Sequence, residues 1–210
     1  DLSEEDARSI ARAVERSGKV KELHLEGNRV AEAAAAALAE AVEKSTSLTK
    51  LGLGGNQITD AGASKLAKAV AKSTSLAVLD LSENLIKNAG ASKLAEALGK
   101  SQSLTTLDLD CNDIADRGAR ELAVAVAMST SLTKLVLQNN PITDVGVSAL
   151  AETVAQSTTL AVLKLGATKI TDVGAAKLAD GIARSTAFTK LNLGTNKITD
   201  VGASALAEAV

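Results

Sequence analysis

Val20, Leu48, Leu76, Leu104, Leu132, Leu160 and Phe188 stand 28 residues apart without one slip, and this constrains the chain's fold more than any other feature. Three residues after each comes a leucine: Leu23, Leu51, Leu79, Leu107, Leu135, Leu163 and Leu191. Two further on comes another: Leu25, Leu53, Leu81, Leu109, Leu137, Leu165 and Leu193. A polar column follows, Asn28, Asn56, Asn84, Asn112, Asn140, the exception Thr168, and Asn196. An aliphatic column closes the pattern at Val30, Ile58, Ile86, Ile114, Ile142, Ile170 and Ile198. Self-similarity at one fixed period means a stack of equal supersecondary units, none of which can bury its own apolar faces alone.

Each unit changes period part-way. The Leu-x-Leu stretch alternates, as a half-buried strand does. From Gly62 onward the apolar positions fall at Leu66, Ala67, Val70 and Ala71, the stripe of a helix. Thr59-Asp60 precedes that stripe and recurs at 143–144, 171–172 and 199–200, where short polar side chains accept hydrogen bonds from free helical N–H groups. The Ser-Thr-Ser segments at 73–75 and 129–131 read as the turn into the next strand. The reading is thus a parallel strand–helix solenoid. Its lone polar column invites a structural explanation, because a buried amide without partners costs about 1–3 kcal/mol. Repeated in register, Asn28, Asn56, Asn84, Asn112, Asn140 and Asn196 are expected to bond to turn backbone of their own and the neighbouring repeat, with a looser turn at Thr168.

The pattern Leu76-x-x-Leu79-x-Leu81-x-x-Asn84-x-Ile86, followed by Gly90-Ala91-x-x-Leu94-Ala95, resembles the ribonuclease-inhibitor-like class of leucine-rich repeats. That class includes NOD-like receptors and the activating protein of the Ran GTPase. The resemblance covers essentially the whole chain. It implies an α/β leucine-rich-repeat solenoid in an open right-handed arc, with a parallel sheet on the concave face and helices on the convex face. Strands about 4.8 Å apart opposed to helices about 8–10 Å apart force that curvature, at roughly 18° per repeat for layers some 10 Å apart. Repeats start at 20, 48, 76, 104, 132, 160 and 188, and the last stops short at Val210. Residues 1–19 are expected to form an N-terminal capping helix, with Ser3 and Asp6 as a capping box.

Composition narrows the function. The formal net charge is −2, so no overall basic field attracts nucleic acid or an anionic membrane. No apolar run approaches the ~18 residues that span a bilayer. Phe188 is the single aromatic residue and Cys111 the single cysteine. One cysteine permits no intrachain disulfide, which favours a reducing compartment, hence a cytoplasmic location. Catalysis needs a nucleophile or acid–base pair with oriented partners. His24, beside Glu22 and Glu26, reads as a solvated surface histidine, and Cys111 as a small unreactive filler. Gly52-Leu53-Gly54-Gly55 lies within a strand and its turn rather than before a helix, so it is no phosphate loop. The expectation is no enzyme, no cofactor, no metal site and no small-molecule substrate.

What varies between repeats is the outward face of the strands. The residue inside Leu-x-Leu reads His24, Gly52, Asp80, Asp108, Val136, Lys164, Asn192; the next outward column reads Glu26, Gly54, Ser82, Asp110, Gln138, Gly166, Gly194. Asp80 and Asp108 are expected side by side near 4.8 Å, with Asp110 two residues along the same face. Lys50 and Lys134, diagonal to them, neutralise the patch on one reading; a basic protein partner or a divalent cation occupies it on the others. Val136 and Val162 are expected to add a small apolar area beside it. The function expected is binding of another protein, by a monomer, through Lys50, Asp80, Asp108, Asp110, Lys134, Val136, Gln138, Lys164 and Asn192. The rival readings are an engineered or truncated scaffold without a partner of its own and, by resemblance, a GTPase regulator of the Ran-activator type.

Overall fold

The computed structural model describes residues 2–209; Asp1 and Val210, where the last repeat was expected to stop short, lie outside them. The strands are β1 (Glu22–His24), β2 (Lys50–Gly52), β3 (Val78–Asp80), β4 (Thr106–Asp108), β5 (Lys134–Val136), β6 (Val162–Lys164) and β7 (Lys190–Asn192). The helices are α1 (Glu4–Ser17), α2 (Glu32–Lys44), α3 (Asp60–Val70), α4 (Asn88–Leu98), α5 (Asp116–Met128), α6 (Asp144–Gln156), α7 (Asp172–Arg184) and α8 (Asp200–Glu208). All strands pair in parallel, each with its neighbours in sequence, in the order β1 to β7. The register is the repeat itself: Leu51 pairs with Leu79, Leu79 with Leu107, and Asp80 with Asp108. Helices pack on one another in the same order.

The core is one continuous aliphatic layer between sheet and helices. Leu79, Leu81, Ile86 and their equivalents in the central repeats are fully buried, and Leu66, Leu94, Leu122 and Leu150 meet them from the helices. In the seventh repeat the same positions, Phe188, Leu191, Leu193 and Ile198, are only partly buried. At the other end, α1 opens on a complete capping box: the Asp6 amide donates to Ser3 Oγ at 3.1 Å and the Ser3 amide donates back to the Asp6 carboxylate. The Leu2 amide ties that start to the carbonyl of Asn28.

The asparagine column runs down the turns. Asn56 Nδ2 donates to the carbonyls of Leu25 and Leu53, both at 2.9 Å, while its Oδ1 accepts from the amides of Asn28 and Val30. Asn84, Asn112 and Asn140 repeat the donation to the preceding repeat at 2.8–2.9 Å. Thr168 cannot reach that far. Its hydroxyl meets Leu165 O and Asn196 Oδ1 instead, and the Ile142 amide, left without a side-chain acceptor from the next repeat, turns to Asn140 O at 2.8 Å.

The helix starts depart from expectation. Thr143, Thr171 and Thr199 do accept from the amide two residues on, but Thr59 makes no such bond. The acid that follows works across repeats. Asp60 Oδ1 accepts from the amides of Lys87 and Gly90, at the start of α4, one unit later. Asn88, Asp116, Asp144 and Asp172 do the same for the next helix each time. These helices therefore receive a cap from the repeat before them. The glycine in each start is required by this contact: a Cβ on Gly146 would stand 2.7 Å from Asp116 Oδ1 and 2.8 Å from Ile142 Cγ2.

Candidate functional site

The strands are three residues long with a core-facing leucine in the middle, so each offers at most its first and third side chains to the concave face, and the turns that follow supply the rest. The left-handed position of each turn, one residue before the asparagine column, is Gly27, Gly55, Glu83, Cys111, Asn139, Ala167 and Thr195. This places Cys111, with φ of 51°, at an exposed turn tip. The residue read from the sequence as a small unreactive filler thus stands exposed rather than packed.

Asp80 and Asp108 face each other in register across β3 and β4. Asp80 Oδ1 accepts from the amide and hydroxyl of Ser82, at 2.9 and 2.7 Å, and Asp108 Oδ1 accepts from the Asp110 amide at 3.0 Å. Each carboxylate is thus pinned by its own turn through one oxygen. Asp110 is held from the next repeat: Asn139 Nδ2 donates to its Oδ1 at 2.8 Å and Gln138 Nε2 to its Oδ2 at 3.3 Å. Gln138 accepts in turn from Asn192 Nδ2 at 2.8 Å, two repeats away. That reach is open because Gly166, which lies between them, has no side chain; a Cβ there would come within 3.3 Å of Asn192 Oδ1 and 3.4 Å of Gln138 Oε1. A polar chain, Asn192 to Gln138 to Asp110, therefore runs along the face into the acidic patch.

The expected lysine neutralisation does not take the form of ion pairs. Lys50 lies 3.8 Å from Glu22 on the neighbouring strand, and among the described residues no lysine or arginine is within ion-pair distance of Asp80, Asp108 or Asp110. Lys134 acts on Asp108 only at a distance. Burial raises the Asp108 carboxyl above the ordinary aspartate value; the Asp110 amide opposes this, Asp80 and Asp110 add to it by like charge, and Lys134 lowers it slightly. At the sheet's other end His24 sits between Glu22 and Glu26, 3.1 Å from each. Its pKa is raised, first by the Glu22 hydrogen bond and then by that of Glu26.

Val136 corrects the sequence reading. It was expected to offer apolar surface, but it is 1% exposed, flanked in register by Asp108 and Lys164. Val162 is partly exposed. Lys164 and Asn192 lie on the two strands beyond Val136, in register. No group of three or more His, Cys, Asp and Glu side chains in a metal-holding arrangement occurs among the described residues. No helix in them is long and apolar enough to cross a membrane.

The family described as Leucine Rich repeat matches residues 44–67, 72–95, 100–123, 129–151, 156–179 and 184–207. The chain belongs to the leucine-rich-repeat family. No curated protein matches it in sequence. Among solved structures it is similar to the one titled Leiomodin-1 Actin-Binding Site 2 (ABS2), with 19% identity and a TM-score of 0.57 over 64% of this chain and 79% of that one. At that identity the likeness shows the fold.

Proposed function

We propose that this leucine-rich-repeat chain is a non-enzymatic module that binds a basic segment of another protein on its concave sheet. One observation carries the reading. Asp80, Asp108 and Asp110 converge on one face with no cation within ion-pair distance among the described residues, and the Oδ2 atoms of Asp80 and Asp108 accept no hydrogen bond there. Bringing three carboxylates together costs energy unless a cation arrives, so the patch is poised for an arginine or lysine from outside. Lys164, Gln138 and Asn192 flank it and orient the partner beyond the patch; Lys50 and Lys134 set its opposite rim.

Protein binding is the common use of this fold, and the solved neighbour's title names it an actin-binding site. The even 28-residue strand–helix unit supports the ribonuclease-inhibitor-like class, with residues 1–19 as its cap, and a single cysteine agrees with a reducing, cytoplasmic setting. The test compares the protein with an Asp80→Asn, Asp108→Asn, Asp110→Asn variant that melts no lower than the parent in a quantitative pull-down from lysate, with filamentous actin as a defined arm. A protein held by the parent and released by the variant supports the concave site. Equal retention by both places binding elsewhere.

A further inference from the structure

The convex face carries a second surface, visible when the grooves between successive helices are compared. In the first groove Lys44 of α2 reaches Glu15 of α1 at 3.5 Å; in the second, Lys72, just past the C-cap of α3, reaches Glu43 of α2 at 2.7 Å. Glu15 and Glu43 are one repeat apart, as are Lys44, Lys72 and Lys100. In the third groove, between α3 and α4, the lysine is present as Lys100 but the glutamate position is Ala71. Among the described residues no ion pair crosses from α3 to α4, and Lys68 and Lys100 have no ion-pair partner.

The α3–α4 groove holds an open trough of about 470 Å³. Its floor is made of the methyl groups of Ala67, Ala71 and Ala97, and its rim of Lys68, Lys72, Lys93 and Lys100 against Glu96 alone. Lys72 is turned toward α2, and Lys93 is paired with Glu96 along its own helix, so neither closes it. A further recess of about 330 Å³ continues the trough past Lys100 toward Gln102. On a chain of net charge −2 this is a locally positive strip with an apolar bottom.

We propose that the α3–α4 groove docks an acidic amphipathic helix of a partner protein, whose carboxylate pairs with Lys100 in the place that Glu15 and Glu43 fill in the first two grooves. The small floor admits Leu or Ala from that helix between two near-parallel helices, the usual geometry of helix-in-groove recognition. A methyl floor sunk between helices favours this occupant over a nucleic-acid backbone, which offers it no apolar face, and over a bilayer, which cannot enter it.

The experiment uses a fluorescein-labelled helical peptide of about four turns with Glu on one face and Leu and Ala on the other, titrated by anisotropy at low salt. The variant Ala71→Glu restores the glutamate of the earlier grooves at the C-cap of α3 and places a carboxylate beside Lys100. Because Ala71 packs partly on the core, Lys100→Glu, at an exposed side chain, serves as a second variant, one that leaves the core alone. Expected is binding by the parent that weakens with added salt, and a loss of about 10-fold or more in Ala71→Glu and in Lys100→Glu, with melting unchanged. Shifts of the Ala67, Ala71 and Ala97 methyl resonances on binding would locate the peptide. The proposal is overturned if the peptide fails to bind, if Ala71→Glu binds it equally, or if a same-composition scrambled peptide does as well. It is equally overturned if a DNA duplex or phosphatidylserine vesicles bind in the peptide's stead. The triple aspartate variant of the concave face should bind the peptide as the parent does, which separates the two surfaces.

Discussion

Thr168 leaves the junction of the fifth and sixth repeats without two hydrogen bonds that every neighbouring junction has. An asparagine there would donate to Leu137 O and accept from the Ile142 amide, as Asn140 does for Leu109 and Ile114. With a net gain of about 1 kcal/mol per bond, Thr168→Asn is expected to stabilise the protein by roughly 1–2 kcal/mol, read as a higher urea midpoint. Asp108 acts in the opposite sense. Its folded pKa lies above the unfolded value of about 3.9, so between the two the folded state holds the extra proton. Stability therefore falls as pH rises through that window. Asp108→Asn keeps the acceptor for the Asp110 amide and removes the titration. Urea midpoints measured from about pH 3 to pH 7 should separate, the variant gaining on the parent as pH rises. Parallel curves would show that Asp108 is not strained.

From α4 to α8 the helices are finished by the repeat before them. Asp144 Oδ1 accepts from the amides of Thr171 and Gly174, at 2.9 and 3.1 Å, and its Oδ2 accepts from the Thr171 hydroxyl. Because these bonds join α6 to the start of α7, removing them weakens the contact between two repeats as well as a cap. Asp144→Ala is expected to cost about 1–2 kcal/mol, the range of a lost cap. Asp144→Asn should cost clearly less, since Asn88 already fills the same role toward Ala115 and Gly118 at 3.0 and 2.9 Å. Chemical denaturation of the two variants side by side decides it; equal losses would mean that charge rather than acceptor geometry matters.

Apart from the Asn192–Gln138 hydrogen bond, which spans two repeats, the secondary-structure elements contact only their neighbours, so stability along the solenoid is close to a sum of unit and interface contributions. The interior repeats are covered on both sides, and their leucines are fully buried. The seventh is covered on one side, with Leu191, Leu193 and Ile198 partly exposed. Hydrogen exchange should therefore protect β3 to β5 most and β7 and α8 least, as a graded opening from that end rather than a single cooperative loss. Uniform protection from β1 to β7 would contradict nearest-neighbour stacking.

The fold was legible in the sequence because its information is local and repeated: the Leu-x-Leu alternation, the helical stripe after Gly62 and the asparagine column each recur in unbroken register. Whatever acts between repeats was not. The aspartates that cap the following helix look like caps for their own, since a contact at a separation of about one period leaves no mark inside any single unit. Val136 reads as outward by parity, yet it is buried where it stands in register between Asp108 and Lys164. The reach from Asn192 to Gln138 depends on a glycine, Gly166, in the repeat between them. The sequence alone determined the stack, its register and its two faces, because burial of leucines at a fixed period admits one arrangement. The tertiary structure alone decided which carboxylates lack a cation and which groove lysines lack an ion-pair partner, because these follow from distances between side chains on different repeats.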